Sequence, residues 1–191
     1  MTVEEQGPPQ IRLIRDFVNT YEPQVDGESL PSTEALADWL VQQQLVPAGA
    51  MISDGDLATT LVVREGLRNV LLGHAGHDPD PERMDAMRVA LVDLPVRLDF
   101  DVGGYRLVSM RTDPAGQALA QLLDAVRQTT QDGTWPRLKV CARDTCRWAF
   151  YDASRNQVRR WCSMAGCGNY VKMKRAYASR KTRAGNPSAS D

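Results

Sequence analysis

Four cysteines near the C-terminal end constrain this 191-residue chain more than any other feature. Cys141 and Cys146 form one C-x4-C pair, and Cys162 and Cys167 form a second such pair after fifteen intervening residues. The sequence contains no other cysteine. Zinc takes four ligands in a tetrahedron, and paired thiolates on short turns supply two ligands each. The spacing predicts one structural zinc ion that is bound by all four cysteines and has no open position for catalysis.

Three other uses of the cysteines remain open at this stage. Disulfides form in oxidising compartments, but the acidic, proline-containing N-terminus lacks the apolar core of a secretion signal. We therefore expect a cytoplasmic protein whose thiols stay reduced. A redox pair has two residues between its cysteines rather than four. An iron–sulfur cluster also uses four cysteines, although no cofactor pathway can be read from the sequence.

Charge divides the chain into an acidic body and a basic C-terminal part. Residues 1–136 contain 10 arginines and no lysine against 21 aspartates and glutamates, a net charge of −11. Residues 137–183 contain 13 lysines and arginines against only Asp144 and Asp152, a net charge of +11. A basic surface beside zinc ligands is typical of proteins that bind a polyanion. The alternative is that the two parts of the chain pair with each other.

Hydrophobic periodicity predicts an α+β protein whose N-terminal domain is mostly helical. Periodic segments and capping residues predict helices at 11–21, from Ser32 or Thr33, from Ser53 or Asp54 through Leu72, at 80–92 and at 114–130. Two alternating runs around Gly103-Gly104 predict a β-hairpin near 96–110. No apolar run reaches the length of a membrane span. We expect the helical domain at 1–134, a treble-clef-like zinc module ending in a helix at 135–183, and a disordered tail at 184–191.

The segment 141–170 resembles the CGNR zinc finger. The resemblance rests on both C-x4-C pairs and on Phe150-x-Asp152, Ser154-Arg155-Asn156, Arg160-Trp161-Cys162-Ser163-Met164 and Cys167-Gly168-Asn169. Residues 17–20 and 64–68 are more loosely similar to the α/β domain that usually precedes this finger. The resemblance implies a stress-induced transcription regulator with a DNA-binding finger and an N-terminal domain that senses a ligand or dimerises. The motif that names the family ends in arginine, where this sequence has Tyr170.

Basic side chains of the finger are the candidate nucleic-acid contacts. Asn169 is a candidate cap for a last helix that runs to about Lys181. On this helix Tyr170, Met173 and Tyr177 form an apolar stripe, which we expect to pack against the finger. The predicted contacts with phosphate or base edges are Arg155, Arg159, Arg160, Lys172, Lys174, Arg175 and Lys181.

Residues around the cysteines are expected to support the metal. The predicted small core consists of Trp148, Phe150 and Trp161. The predicted counter-charges to the four thiolates are Arg143, Arg147, Arg159 and Arg160. Asp152 is expected to accept backbone N–H bonds before Ser154 or to pair with Arg155 or Arg159. His74 and His77 form H-x2-H in a polar segment, and we interpret them as surface loop residues.

Several functions are compatible with these patterns, and a DNA-binding regulator is the leading one. DNA is the expected partner, with a second copy of the chain or a small-molecule ligand of the N-terminal domain as further candidates. An RNA-binding role would need Trp148, Tyr151 and Tyr170 exposed for stacking. A protein-interaction module would bury Lys172, Lys174 and Arg175 against acidic residues. We expect no enzymatic role, because a deep pocket with convergent polar groups would be required and the cysteines are committed to metal.

Overall fold

The computed structural model describes residues 7–184, with side chains as far as residue 180. The helices are α1 (Pro9–Val18), α2 (Thr33–Gln42), α3 (Asp54–His74), α4 (Pro81–Val92), α5 (Pro114–Gln131) and α6 (Asn169–Ala184). The strands are β1 (Tyr21–Glu22), β2 (Gly27–Glu28), β3 (Val96–Asp101), β4 (Gly104–Ser109), β5 (Leu138–Val140) and β6 (Ala149–Tyr151). These strands form three antiparallel pairs in chain order, so the predicted α+β class is confirmed. The predicted tail lies outside the described residues, apart from Ala184 at the end of α6.

Short polar side chains begin the helices of the N-terminal part. Ser32 caps α2, and Ser53 forms a capping box with Asp56 at the start of α3. Asp80 and Asp113 accept backbone N–H bonds at the starts of α4 and α5, and each is followed by proline at the first helical position. An N-terminal proline fits because its missing N–H would have no partner there. The serines are therefore the caps where the sequence left a choice of two residues.

The core extends from the helices into the strand pair that carries the first two cysteines. The inner face of α1 includes Phe17, which is fully buried and packs near Trp39 of α2. Leu138, Val140 and Ala149 of β5 and β6 are also fully buried in this same cluster. The boundary at residue 135 stays a prediction, and this shared core extends across it. No helix among the described residues is long and apolar enough to cross a membrane.

The predicted hairpin is formed by β3 and β4, and only its second strand rests on the body. Leu107 of β4 donates its N–H to Asp124 Oδ1 of α5 at 2.8 Å. Tyr105 of the same strand lies under Arg127, with 4.4 Å between the guanidinium carbon and the ring centroid. On β3, by contrast, Leu98 and Phe100 are 52% and 72% exposed. The hairpin thus presents its first strand to solvent.

Candidate metal centre and nucleic-acid interface

The four cysteines converge where the β5–β6 turn meets the start of the last helical segment. Cys141 follows β5, Cys146 lies in the turn before β6, and Cys167 lies in a π-helical turn (Met164–Gly168) that continues into α6. All four sulfur atoms lie within 4.8 Å of one another. The Sγ–Sγ distances from Cys162 to Cys146 and to Cys167 are both 3.7 Å. A tetrahedron with Zn–S bonds of about 2.3 Å requires sulfurs about 3.8 Å apart, so the donor set fits zinc and the distances exclude disulfides.

The protonation of the cysteines also favours a bound dication. Hydrogen bonds from the thiols of Cys146 and Cys162 lower the pKa of Cys141 to about 2. The same contact with Cys141 raises the pKa of Cys146 to about 11 and raises the pKa of Cys162 as well. Four sulfurs this close therefore do not all ionise without a cation, whereas zinc binds each of them as a thiolate. The site holds one structural zinc ion coordinated by four cysteines.

The guanidinium of Arg143 contacts one of the metal ligands and rests on the ring of Tyr170. Its Nη1 atom lies 3.9 Å from Cys167 Sγ, and its guanidinium carbon lies 3.8 Å from the centroid of the Tyr170 ring. A cation at this distance offsets part of the charge of four thiolates on one dication. Tyr170, which stands where the family motif has arginine, serves in this chain as the packing partner of Arg143.

Replacing Arg143 by alanine is expected to weaken zinc retention by roughly 10–100-fold, because residues that support metal ligands contribute about that much to affinity. Competition of the purified protein with a chromophoric zinc chelator measures the effect. Arg160→Ala is the matched control, since Arg160 stacks on Trp161 and makes no described contact with a sulfur. Equal zinc affinity in the two variants would argue against a charge-balancing role for Arg143.

Of the other residues predicted to support the metal, some pack against the cysteines and the rest make contacts elsewhere in the zinc module. Trp148 and Trp161 pack against the cysteines, as predicted. Phe150 lies instead under Arg159, whose guanidinium carbon is 5.0 Å from the ring centroid. Arg159 donates to the carbonyl of Trp161 at 2.9 Å and to that of Cys162, so it clamps the second cysteine pair. Arg147 pairs with the exposed Asp144 at 2.8 Å.

Asp152 is fully buried and accepts the backbone N–H bonds that the sequence predicted. Its Oδ1 accepts from the N–H of Ser154 at 3.0 Å, and its Oδ2 accepts from the N–H of Arg159 at 3.0 Å. Its ionic partner is Lys139 of β5, with Nζ 2.8 Å from Oδ2, so the alternative, a salt bridge to Arg155 or Arg159, is not formed. Lys139 also donates to the Gln157 carbonyl at 2.5 Å. Lys139 is one of the 13 cations of residues 137–183, and it is therefore an internal support of the module rather than part of its basic surface.

Two side chains of the helical body, those of Asn19 and Arg68, bond to the zinc module and hold it in place. The side-chain amide of Asn19 bonds to both backbone groups of Ala149, as a neighbouring strand would. Its Oδ1 accepts the Ala149 N–H at 2.8 Å, and its Nδ2 donates to the Ala149 carbonyl at 2.9 Å. Arg68 of α3 donates to the Arg147 carbonyl at 3.2 Å. Asn19 and Arg68 lie in the two segments that resemble the family's N-terminal domain. Their role in docking the finger was not apparent from the sequence, because their partners are far away along the chain.

The interpretation of the two histidines as surface loop residues is wrong. His74 ends α3, and its Nδ1 lies 2.8 Å from the Leu138 carbonyl of β5. Burial lowers its pKa, and its ring meets Trp135 edge-on at 5.0 Å. His77 turns toward the zinc module, where its Nε2 is buried without a hydrogen-bond partner among the described residues. The helix end is tied to β5, so both rings lie between the body and the finger.

The last helix begins earlier than predicted, and two of the three residues of its apolar stripe are largely exposed. Ser163 is the cap, because its Oγ accepts the N–H of Gly166 at 3.2 Å, whereas Asn169 lies inside the helical segment. Met173 and Tyr177 are 72% and 74% exposed, so they do not pack against the finger as expected. Cys167 anchors the segment at its first turn, and the metal rather than the stripe therefore orients the helix.

Several cations line a groove of about 460 Å³ between α6 and the turn that joins Cys141 to Cys146. Arg143, Arg160, Lys174 and Arg175 line it, together with the rings of Trp161 and Tyr170 and with His77. Among the described lining residues the acidic one is Asp144, and its carboxylate already pairs with Arg147. The groove therefore combines positive charge with aromatic walls, which suits a phosphate-bearing ligand.

The structure brings three of the seven predicted contacts together in this groove, namely Arg160, Lys174 and Arg175. Arg155 and Lys172 are exposed on other parts of the module. Arg159 is half-buried and engaged with carbonyls of the finger. The side chain of Lys181 lies outside the described residues. Arg143 joins the groove in addition, although the sequence analysis assigned it only to the metal.

Comparison with known families accounts for nearly the whole chain. Residues 137–181 match the CGNR zinc finger, and residues 12–149 match ABATE, described as a putative stress-induced transcription regulator. The chain belongs to the ABATE family and carries a CGNR zinc finger. The two matches overlap in the β5–β6 hairpin, which is the part of the finger buried in the core of the body. A comparison with curated proteins finds no match.

Proposed function

We propose that this ABATE-family protein is a zinc-dependent transcription regulator that binds DNA through the basic surface of its CGNR finger. The observation that carries the proposal is uncompensated positive charge. Both carboxylates between residues 137 and 180 are already taken, Asp152 by Lys139 and Asp144 by Arg147. The exposed cations of this segment that pair with no described carboxylate are Arg155, Arg160, Lys172, Lys174, Arg175 and Arg180. A solvated face normally intersperses both signs, whereas this one suits phosphates.

Zinc contributes by holding two distant turns together. The first turn carries Arg143 and the second leads into α6 with Lys174 and Arg175, so the metal sets the width of the groove between them. Bound backbone phosphates would lie along these cations, and a guanidinium such as that of Arg160 is suited to guanine edges. The metal itself has no catalytic part, because its four protein ligands leave no position for a substrate.

The exposure of the aromatic and basic side chains of the finger argues against an RNA-binding role and against docking of the finger on the acidic body. An RNA-binding role needs free aromatic platforms, but Trp148 and Tyr151 are half-buried and Tyr170 is covered on one face by Arg143. Docking of the finger on the acidic body would bury Lys174 and Arg175 against carboxylates, yet both remain exposed. We propose a non-enzymatic role, since the thiols are bound to metal, and a cytoplasmic location where they stay reduced.

Binding to a mixed-sequence DNA duplex is expected to fall steeply with salt, because each phosphate contact releases counterions. Lys174→Ala with Arg175→Ala should weaken binding and reduce the slope of log K against log salt by about 2, roughly one per contact. Titrations by fluorescence anisotropy at several salt concentrations measure both quantities.

The matched control removes two exposed arginines from the acidic body, Arg83→Ala with Arg88→Ala, and should leave the binding and its slope unchanged. DNA binding that ignores salt, or an identical slope in the finger variant, would contradict the phosphate-contact proposal. Tighter binding to single-stranded RNA of the same length would favour the RNA-binding alternative instead.

A further inference from the structure

The outer strand of the β3–β4 hairpin is an open sheet edge among the described residues. Its strand partner is β4, and the side chains of Val96, Leu98 and Phe100 are exposed on its apolar face. Proteins usually protect such an edge with charged side chains, especially lysine, or with proline, a bulge or a covering element, because unpaired backbone groups attract another strand. Between Val96 and Asp101 this strand has no lysine and no proline, and its charged residues carry both signs, so that Arg97 and Asp99 can attract the same strand of a second copy.

The hairpin register shows which backbone groups face outward. Leu98 lies opposite Leu107, and the N–H of Leu107 donates to Asp124 of α5, away from β3. In an antiparallel ladder, hydrogen-bonded and non-hydrogen-bonded pairs alternate, so Leu98 and Leu107 are a non-hydrogen-bonded pair. The N–H and C=O groups of Leu98, and by the same alternation those of Val96 and Phe100, therefore point to the free edge of the hairpin.

We propose that β3 pairs antiparallel with β3 of a second copy of this chain, centred on Leu98, to give a four-stranded sheet. A two-fold axis perpendicular to a sheet passes between a residue and its own copy, so the centre lies on a residue of the strand. With Leu98 at the centre, Arg97 lies opposite Asp99 of the second copy, and this pair occurs twice. On the apolar face Val96 then meets Phe100 of the second copy.

Charge excludes the neighbouring registers. A centre on Arg97 or on Asp99 sets each of these residues against its own copy, and like charges directly opposite are destabilising. A centre on Phe100 sets Asp99 against Asp101 of the second copy. Of these four registers, the one centred on Leu98 is self-complementary in charge and in hydrogen bonding. It uses the outward-facing groups of Val96, Leu98 and Phe100.

This inference does not depend on DNA binding, but it would give the regulator a defined symmetry. A two-fold dimer presents two identical basic modules, and half-sites related by the same two-fold are the DNA target that such a pair fits.

The mass of the zinc-loaded full chain in solution tests the pairing, by sedimentation equilibrium across a concentration series. We expect a dimer in the wild-type protein. Arg97→Asp should raise the dimer dissociation constant by about tenfold or more, because two attractive pairs become repulsive. Arg88→Asp is the matched control on α4, since Arg88 is 68% exposed and Arg97 is 59% exposed. Far-UV circular dichroism and zinc content verify that each variant folds.

A cysteine at the centre tests the register. Residues opposite each other in a hydrogen-bonded pair have Cα atoms about 5.5 Å apart, within the range of a disulfide. Leu98→Cys should therefore give a covalent dimer on mild oxidation of the zinc-loaded protein. Val102→Cys, fully exposed beyond the end of β3, should not. A monomeric wild-type mass, an unaffected Arg97→Asp dimer, or equal cross-linking of the two cysteine variants would overturn the proposal.

Discussion

Removal of zinc is expected to unfold the metal-bound part of the finger and to leave the helical body folded. The buried cluster at the metal consists of cysteines with Trp148 and Trp161 packed against it, so little apolar burial remains once the ion is gone. Structural zinc contributes on the order of 10–16 kcal/mol in isolated zinc-finger peptides. The body has its own core of fully buried side chains, including Ile14, Leu71 and Leu122.

The β5–β6 hairpin lies at the boundary between the part that should unfold without zinc and the part that should stay folded. Leu138, Val140 and Ala149 are part of the body's core, and Asn19 bonds to both backbone groups of Ala149. We therefore expect the metal-free protein to keep amide protection in β5 and α3 but to lose it from about Trp161 through α6. Hydrogen exchange followed by mass spectrometry, with and without chelator, reads this boundary directly. If the finger folded as an independent unit of about 45 residues, β5 and α6 would lose their amide protection together.

A cysteine variant provides an independent route to the same state. Cys162→Ser should reproduce the exchange pattern of the chelated protein and abolish binding to DNA. Ser163→Ala is the neighbouring control, because it removes only a helix cap worth about 1 kcal/mol and should retain zinc. If Trp161 and α6 keep their protection after zinc is removed, the metal is not what orders this part of the chain.

Features that depend on neighbours in the chain could be predicted from the sequence. Ser53 caps α3 because Asp56 is three residues away, and the two glycines at 103–104 place the hairpin because a tight turn needs them. Cysteine spacing predicted the metal centre for the same reason, since each pair closes a short turn. In each case the interacting residues lie within a few positions of each other, so the local sequence pattern is enough to predict the structure.

Features that depend on distant partners could not be predicted in this way. Asn19 and Ala149 are 130 positions apart, and nothing local marks the asparagine as a clamp for a strand. Periodicity correctly placed Tyr170, Met173 and Tyr177 on one stripe, yet it cannot report whether a surface exists to receive that stripe. The ligand Cys167 orients the helix at its first turn, and tertiary geometry therefore overrides the apolar pattern.

The largest destabilisation by a single non-cysteine substitution is expected at the buried Lys139–Asp152 pair. Asp152→Ala leaves the ammonium of Lys139 inside the module with the Gln157 carbonyl as its remaining described acceptor. It also removes the acceptors of the Ser154 and Arg159 N–H groups. Breaking one side of a buried ion pair typically costs about 3–5 kcal/mol, which would be a large share of the stability of a chain this size.

Urea unfolding of the zinc-loaded protein measures this loss. Asp144→Ala is the control, because Asp144 is an exposed carboxylate paired with Arg147 in the same module and should have little effect. Lys139→Met combined with Asp152→Asn should recover much of the stability, since no uncompensated charge is left inside. An Asp152→Ala protein as stable as the Asp144→Ala protein would show that the pair is not a structural support.

The pH dependence of this loss distinguishes an ionic pair from a neutral hydrogen bond. Burial alone would raise the pKa of Asp152, but Lys139 and the hydroxyl and N–H of Ser154 lower it below its ordinary value near 3.8. Because the folded pKa lies below the unfolded one, the stabilisation is complete above about pH 4 and is lost only as the pH falls further. The stability difference between wild type and Asp152→Asn should therefore stay constant between about pH 5 and 7, where thiolates still hold zinc. A difference that shrinks in that interval would mean that the folded carboxyl is partly protonated there, and Lys139 would then not be its ionic partner.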